Sequence, residues 1–167
     1  MIYVIGDIHG SKEKYDEMLT KISPKETDAV FVLGDIIDIG EDSVEILQDM
    51  MYRANIYPVL GDHEYMAKKL LPLIVDAKDI DEAKAMLSGD DKAELEKWLT
   101  MKSEKTISDF LALDSDDKEG IIDYLSEFQA YEEVEAGGKT FVLTHAGIDN
   151  FDPEKDLEDY SEEDFVF

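Results

Sequence analysis

The chain has 167 residues, a length typical of one domain with a buried core, and 44% of them are hydrophobic, as in folded rather than disordered proteins. The absence of cysteine excludes disulfides and thiolate metal sites, and 42 Asp and Glu against 16 Lys and Arg give a formal net charge of −26. Such a surface disfavours nucleic acids and anionic membranes as partners. Since no apolar run is long enough to span a membrane and the N-terminus lacks a signal-peptide pattern, we expect a cytoplasmic protein.

The first third of the chain alternates between strand and helix patterns. Short apolar runs rich in β-branched and aromatic residues predict three strands, at 2–5, 29–33 and 56–60. Apolar residues at helical spacing predict two helices between them, at 12–22 and 42–54. Pro58 indicates that the third strand lies at an edge or starts irregularly. This order predicts an α/β fold with a mostly parallel sheet and right-handed crossovers.

The middle of the chain, about 65–128, has a different character. Five segments show helical periodicity, and the Ser- and Asp-rich breaks between them can cap the helix that follows. We interpret this region as a helical insert that packs beside the sheet. Two runs of strand type, at 131–135 and 139–144, flank a pair of glycines and predict a β-hairpin. The stretch from Asp152 onward is acidic and is expected to add few core residues.

Four glycine-flanked polar clusters each follow a predicted strand directly. They are "GDIHG" at 6–10, "GDIIDIG" at 34–40, "GDHE" at 61–64 and "THAG" at 144–147, and they contain all three histidines of the chain. Ligands of open α/β sheets bind at the carboxyl ends of the strands, so one topology gathers all four clusters. A single Gly-Asp pair would indicate a turn and a single histidine a structural residue, but the four together favour a metal centre.

Carboxylate and imidazole groups suit a divalent ion such as Mn²⁺, Fe²⁺ or Zn²⁺. Asp7 and His9 are two residues apart, so an extended or turning backbone can direct both at one ion. Two ions that share a carboxylate can clamp a phosphoryl group for in-line attack and supply a nucleophilic hydroxide at neutral pH.

These motifs resemble those of the calcineurin-like metallophosphoesterases, whose pattern is D-x-H, G-D-x-x-D, G-N-H-E, H-[AG]-G and a late G-H. The first four are matched at Asp7–His9, 34–38, 61–64 and 145–147. The early "GDIHG" and the helical middle most resemble bacterial members of the serine/threonine protein phosphatase branch. The resemblance implies one domain over 1–167 with a metallophosphoesterase sheet core. That core is expected to be an αββα sandwich lacking its C-terminal strands.

The resemblance also implies a role for each matched residue. Asp35 would bridge two divalent metal ions, with Mn²⁺ expected and Fe or Zn as alternatives. The other metal ligands would be Asp7 and His9 on the first ion, and Asp62 and His145 on the second. A metal-activated hydroxide would attack a phosphorylated substrate, either a phosphoprotein or a small phosphoester. His63 would protonate the leaving-group oxygen, with Asp38 orienting its ring.

Three departures from the family pattern bear on activity. The late Gly-His motif is absent before Phe167, so the chain resembles a fragment or a truncated member. Ile39 occupies the position where the phosphatase branch has a phosphate-binding arginine, and Arg53, the only arginine, lies on a predicted helix away from the site. Asp62 stands where the family has a neutral asparagine. We therefore expect metal binding to persist and phosphate binding to weaken.

Three functions remain open from the sequence. The leading hypothesis is a metal-dependent phosphoesterase that hydrolyses phosphomonoesters, as serine/threonine protein phosphatases do. The first alternative is a nucleotide phosphodiesterase or dinucleoside-polyphosphate hydrolase, because the same site serves those substrates. The second is a catalytically weak, metal-binding pseudoenzyme that acts as an interaction module.

Overall fold

A three-stranded parallel sheet forms the first part of the fold. A computed structural model describes residues 1–167 and places the first strands at β1 (Ile2–Ile5), β2 (Ala29–Leu33) and β3 (Ile56–Val59), in that order across the sheet. They are joined by helices α1 (Lys12–Ile22) and α2 (Ser43–Met51). The predicted alternation and the parallel pairing are confirmed. Strand β3 lies at an edge, as Pro58 indicated, with one isolated bridge to Gln129 beyond it.

The central strand explains why its sequence is continuously apolar. Val30, Phe31 and Val32 of β2 are all buried, since β2 has a neighbouring strand on each side and side chains packed on both faces. Helix α2 contributes Ile46 and Leu47, which are fully buried in the same core. The parallel pairing therefore brings the carboxyl ends of the three strands to the same side of the sheet.

The helical insert is confirmed, and it consists of five helices. These are α3 (Asp62–Ile74), α4 (Ile80–Met86), α5 (Gly89–Thr100), α6 (Glu104–Ala112) and α7 (Ser115–Ser126). Helix α3 begins at Asp62, before the start at about residue 65 that the sequence predicted for the helical region. Gly61 is extended at the N-cap position, and the Glu64 carboxylate accepts its N–H at 3.2 Å, which closes the first helical turn.

One hydrophobic cluster extends from the sheet helices into the insert. Leu70, Trp98 and Phe110 are fully buried in it, together with Leu47 of α2. Helix α3 packs against α5 and α7, and α6 packs against α2. The insert is thus part of the same core as the sheet and can position residues at the sheet edge.

A hairpin forms a second, separate sheet. Strands β4 (Tyr131–Ala136) and β5 (Lys139–Thr144) pair antiparallel, and a short 3₁₀ turn (Leu157–Asp159) and helix α8 (Glu162–Val166) follow. The α/β fold is therefore confirmed, with three strands in one sheet and two in the other. None of the helices combines the length and the apolar character that crossing a membrane requires.

The acidic tail adds only two buried side chains, Phe165 and Val166, in line with the sequence expectation. Their position was not predicted. The N–H of Ala146 donates to the Phe165 carbonyl at 3.2 Å, and Phe165 stacks on Tyr131 with ring centroids 5.0 Å apart. The tail therefore docks against the segment that carries His145.

Asp49 of α2 ties two helices together. It accepts hydrogen bonds from Tyr15 of α1 at 2.9 Å and from Arg53 at 2.6 and 3.0 Å. Burial raises the pKa of Asp49, but the hydrogen bonds from Arg53 and Tyr15 outweigh it and hold the pKa below its ordinary value of 3.8. The resulting stability is present above pH 3.8 and is lost as the pH falls through the folded-state pKa.

We therefore expect Asp49→Asn to lower the urea midpoint at pH 7 and to approach the wild type at a second, acidic pH well below 3.8. The measurement is urea unfolding at both pH values. Asp109→Asn is a matched control, because Asp109 pairs with Lys105 on an exposed helix surface. A difference between Asp49→Asn and wild type that stays constant down to low pH would contradict this account.

Candidate metal centre

The four polar clusters converge at the carboxyl ends of the strands, with Asp35 at the centre. Its Oδ2 lies 3.4 Å from His9 Nε2, and its Oδ1 lies 3.4 Å from His145 Nε2. Asp7 Oδ2 is 3.9 Å from the same His9 nitrogen, and Asp62 Oδ1 is 3.8 Å from the same His145 nitrogen. All five sequence-predicted metal ligands therefore meet in one place.

Two overlapping groups of side chains have ligand atoms within 4.8 Å of one another. One contains His9, Asp35 and His63, and the other contains Asp7, Asp35 and His145. Asp35 belongs to both, which is the arrangement expected of a bridging carboxylate. The ligands are divided between the two groups differently from what the resemblance implied, because Asp7 is grouped with His145 rather than with His9.

Backbone carbonyls orient the two histidines that flank Asp35. His145 Nδ1 lies 2.7 Å from the Leu33 carbonyl oxygen, and His9 Nδ1 lies 3.3 Å from the Ile37 carbonyl oxygen. A carbonyl can only accept, so each Nδ1 must carry the proton. In the neutral rings, the lone pair is then on Nε2, the nitrogen that faces Asp35. This is the tautomer that a metal ligand needs.

Glu64 holds the loop that carries Asp35. Its fully buried carboxylate accepts the N–H groups of Asp35 at 2.8 Å, Ile36 at 2.8 Å and Ile37 at 3.0 Å, in addition to that of Gly61. In the sequence, Glu64 was identified only as the last residue of the "GDHE" cluster. Its hydrogen bonds to a loop that lies 29 residues earlier in the chain produce no periodic pattern in the sequence. The available sequence signal is the acidic residue that directly follows "GDH".

Two glycines allow the strand ends to approach each other closely. Gly34 has a positive φ of 77°, and a Cβ there would lie 2.6 Å from the Gly61 Cα. A Cβ on Gly61 would lie 2.5 Å from the Asp35 nitrogen. Any side chain at either position would separate the clusters that carry Asp35 and Asp62.

The electrostatics of Asp35 favour a bound cation. Burial and the nearby carboxylates of Asp62 and Glu64 raise the pKa of Asp35 to about 7. Its Oδ1 is buried and has no hydrogen-bond partner. A buried carboxylate oxygen without a partner is costly unless a cation compensates it. The acidic donors, the two oriented imidazoles and this unpartnered oxygen therefore fit divalent metal ions.

Asp38 and His63 form a buried pair beside this centre. His63 Nδ1 lies 2.7 Å from Asp38 Oδ2, and the His63 ring centroid is 5.1 Å from that of His9. Burial lowers the pKa of His63, but the hydrogen bond and the charge of Asp38 outweigh it and hold the pKa above its ordinary value. Asp38 Oδ2 also accepts the indole N–H of Trp98, a contact that the sequence did not reveal.

No arginine reaches the centre. Ile39 has a half-exposed side chain, and Arg53 is held by Asp49 near the end of α2. The interpretation of Arg53 as unsuited to replace the phosphate-binding arginine agrees with this position.

This fold and this cluster of acids and histidines define a class of protein. The sequence profile of the calcineurin-like phosphoesterase family matches residues 1–166. The chain belongs to this family, whose members are phosphoesterases that use divalent metal ions. The sequence-based identification of the superfamily is thus confirmed.

Particular relatives refine the comparison. The chain is 34% identical over 99 residues to the symmetrical bis(5'-nucleosyl)-tetraphosphatase of Haemophilus ducreyi, a match that covers 58% of this chain and 37% of that protein. It is 35% identical over 100 residues to the Wigglesworthia glossinidia brevipalpis protein of the same name, covering 58% and 36%. The alignments thus span little more than a third of these curated relatives.

A solved structure shows the same fold. A protein provisionally assigned as a diadenosine tetraphosphatase superposes with a TM-score of 0.64 at 20% identity. The match covers 99% of this chain and 57% of that one. At this level of identity the similarity concerns the fold alone.

Proposed function

We propose that this chain carries the metal centre of a hydrolase that cleaves dinucleoside polyphosphates. The observation that carries the proposal is the position of Asp35, whose two carboxylate oxygens each face a histidine Nε2 at 3.4 Å. One carboxylate between two imidazoles supports two adjacent cation sites, as a phosphoryl-transfer centre requires. The names of the relatives, symmetrical tetraphosphatases, favour this alternative over the phosphomonoester and protein phosphatase hypothesis.

Five side chains would hold the two divalent ions, for which we favour Mn²⁺. They are Asp7, His9, Asp35, Asp62 and His145. Bound ions would lower the pKa of water and offset the negative charge of the phosphate oxygens. This compensation is needed here, because the formal net charge of the chain is −26 and the usual arginine position is Ile39.

His63 is placed to act as the general acid. Asp38 fixes Nδ1, so Nε2 is the nitrogen that can hold a proton for the leaving group. In symmetrical cleavage of a dinucleoside tetraphosphate, the oxygen of water bonds to one of the two central phosphorus atoms. The bond from that phosphorus to the central bridging oxygen breaks, and the bridging oxygen takes the proton from His63. The products are two nucleoside diphosphates; the attacking water loses one proton to solvent, and solvent returns one to His63.

A substrate panel tests this proposal. The Mn²⁺-loaded chain would be given diadenosine tetraphosphate, bis(p-nitrophenyl) phosphate, p-nitrophenyl phosphate and a phosphoserine peptide, with a protein-free metal blank. We expect the highest kcat/KM for diadenosine tetraphosphate, with ADP as the product. Preference for the peptide or the monoester would favour the protein phosphatase hypothesis. No turnover of any substrate would overturn the enzymatic proposal and favour an interaction module.

The charge of Asp62 leads to a further prediction. Its side chain is partly exposed, lies 3.8 Å from His145 and contributes to the raised pKa of Asp35. We expect Asp62→Asn to keep or raise kcat, because a negative charge near the phosphate is removed. Metal retention should weaken by less than about tenfold, because an amide oxygen can still ligate. Steady-state kinetics and elemental analysis measure both effects. Unchanged metal content with unchanged kinetics would make Asp62 only a helix-start residue.

A further inference from the structure

Trp98 connects the helical insert to the site. It is the only tryptophan of the chain, it lies on α5, and its side chain is fully buried. Its indole N–H donates to Asp38 Oδ2 at 2.7 Å, and the same oxygen lies 2.7 Å from His63 Nδ1. One carboxylate oxygen therefore joins a core tryptophan to the general-acid candidate.

The insert also holds the backbone on either side of this carboxylate. The Ile39 N–H donates to the Lys102 carbonyl at 3.1 Å. The Asp38 N–H donates at 2.9 Å to the Ser43 hydroxyl, which also accepts from Thr106 of α6 at 3.0 Å. Asp38 and Ile39 have positive φ values of 68° and 66°, a conformation that non-glycine residues keep only when their surroundings enforce it.

Because the backbone of Asp38 is held in this way, only the orientation of its side chain can change. Its Oδ1 is buried without a hydrogen-bond partner, so the hydrogen bonds that orient the carboxylate are those at Oδ2, with Trp98 and His63. A carboxylate that loses the indole donor can rotate about its terminal bond, which has a broad torsional preference. The His63 ring would then lose its fixed direction.

We propose that Trp98 is a positioning residue: through Asp38 it aims the His63 imidazole at the leaving-group oxygen. This inference rests on the proposed general-acid role of His63. It assigns to the helical insert a part in the chemical step, beyond packing. The alternative is that Trp98 only fills the core, and its large buried ring would serve that purpose without the N–H.

Leaving-group dependence separates the two interpretations. The p-nitrophenyl and phenyl esters of the β-phosphate of ADP share the nucleotide and differ in the basicity of the departing phenolate. The basic phenolate needs a proton from the general acid far more than the nitrophenolate does. We expect Trp98→Phe to lower kcat for the phenyl ester by about tenfold more than for the p-nitrophenyl ester. KM and metal content should stay near wild type.

Leu95→Ala is the matched control, because Leu95 is fully buried on the same helix and its apolar side chain makes no hydrogen bond to Asp38. It should lower kcat for the two esters by the same factor, if at all. Equal losses for both esters in Trp98→Phe, or the same differential loss in Leu95→Ala, would show that Trp98 only fills the core.

An NMR measurement tests the hydrogen bond between Trp98 and Asp38 without depending on turnover. The single indole N–H of the chain gives one resolved ¹H–¹⁵N resonance. We expect Asp38→Asn to shift this resonance and speed its exchange with solvent, while Leu95→Ala leaves it near its wild-type position. An unchanged resonance in Asp38→Asn would overturn the proposed contact even if Trp98→Phe fails to fold. A wild-type chain without activity would overturn the proposed function instead. The hydrogen bond between Trp98 and Asp38 would then be tested by this resonance alone.

Discussion

Asp35→Asn is expected to lower kcat for dinucleoside tetraphosphate hydrolysis by about 10³-fold or more at saturating Mn²⁺. The substitution keeps the shape of the side chain but replaces a shared anion with a neutral amide. The amide NH₂ would face one of the two histidines that now lie 3.4 Å from a carboxylate oxygen. One cation site would thereby lose its bridging ligand. Steady-state kinetics with elemental analysis of the loaded protein measures the effect.

The same substitution should not destabilise the metal-free protein. Because the pKa of Asp35 is raised to about 7, the folded state binds a proton more tightly than the unfolded state does. Its stability therefore falls as the pH rises from about 4 through 7. Removing the charge should leave the metal-free variant at least as stable as wild type at pH 8, in urea unfolding without metal.

Asp109→Asn serves as the control for Asp35→Asn, because it makes the same chemical change at an exposed ion pair with Lys105. It should leave kcat and metal content unchanged. If Asp35→Asn turned over substrate as fast as the wild type, the Asp35 carboxylate would not be needed for the reaction. A loss of turnover that accompanied unfolding would likewise contradict the account.

Glu64→Gln is expected to lower the free energy of unfolding by about 3 kcal/mol. The carboxylate accepts four backbone N–H groups and is fully buried. An amide can accept with its oxygen alone, so its NH₂ group would face N–H donors and leave some of them without a partner. Urea unfolding followed by circular dichroism measures the change.

Glu162→Gln is the matched control for Glu64→Gln, because Glu162 pairs with Lys68 on the exposed surface of α8. Its effect should stay within about 0.5 kcal/mol. A Glu64→Gln variant as stable as this control would mean that the four N–H groups do not depend on the carboxylate.

Much of the fold was predictable because its signals are local. The apolar runs of β1 to β3 and the helical spacing of α1 and α2 lie within short windows. The four strand-end clusters were found for the same reason, and the parallel topology accounts for the meeting of the three that follow β1, β2 and β3. The nearness of His9 to Asp35 follows from this strand order, whereas His145 comes from the separate antiparallel sheet and is held beside Asp35 by its contact with the Leu33 carbonyl oxygen.

The contacts that the sequence did not reveal are long-range. Glu64 reaches a loop 29 residues earlier, and Trp98 reaches Asp38 across 60 residues. Neither separation leaves a periodic or compositional signal. The start of α3 at Asp62 was missed for a different reason: the contact of Glu64 with Gly61 is local, but a glycine at the N-cap lacks the side chain that usually marks a helix start in sequence.

The metal-ligating motifs were also insufficient to predict which substrate the protein prefers. Metal-ligating motifs specify the phosphoryl chemistry, which phosphomonoesters, phosphodiesters and phosphoanhydrides share. The departure at Ile39 weakened the protein phosphatase hypothesis without identifying a substrate. The site residues support metal-dependent phosphoryl chemistry, and the names of the relatives support the proposed preference for dinucleoside polyphosphates.

We propose that Asp35 would hold both divalent ions, with one carboxylate oxygen facing each ion. Equilibrium titration of the metal-free chain with Mn²⁺, with free Mn²⁺ followed by electron paramagnetic resonance, tests it most directly. The account predicts two bound ions per wild-type chain with magnetic coupling between them, and at most one in Asp35→Asn. A single uncoupled ion in the wild type, or two coupled ions in Asp35→Asn, would contradict it.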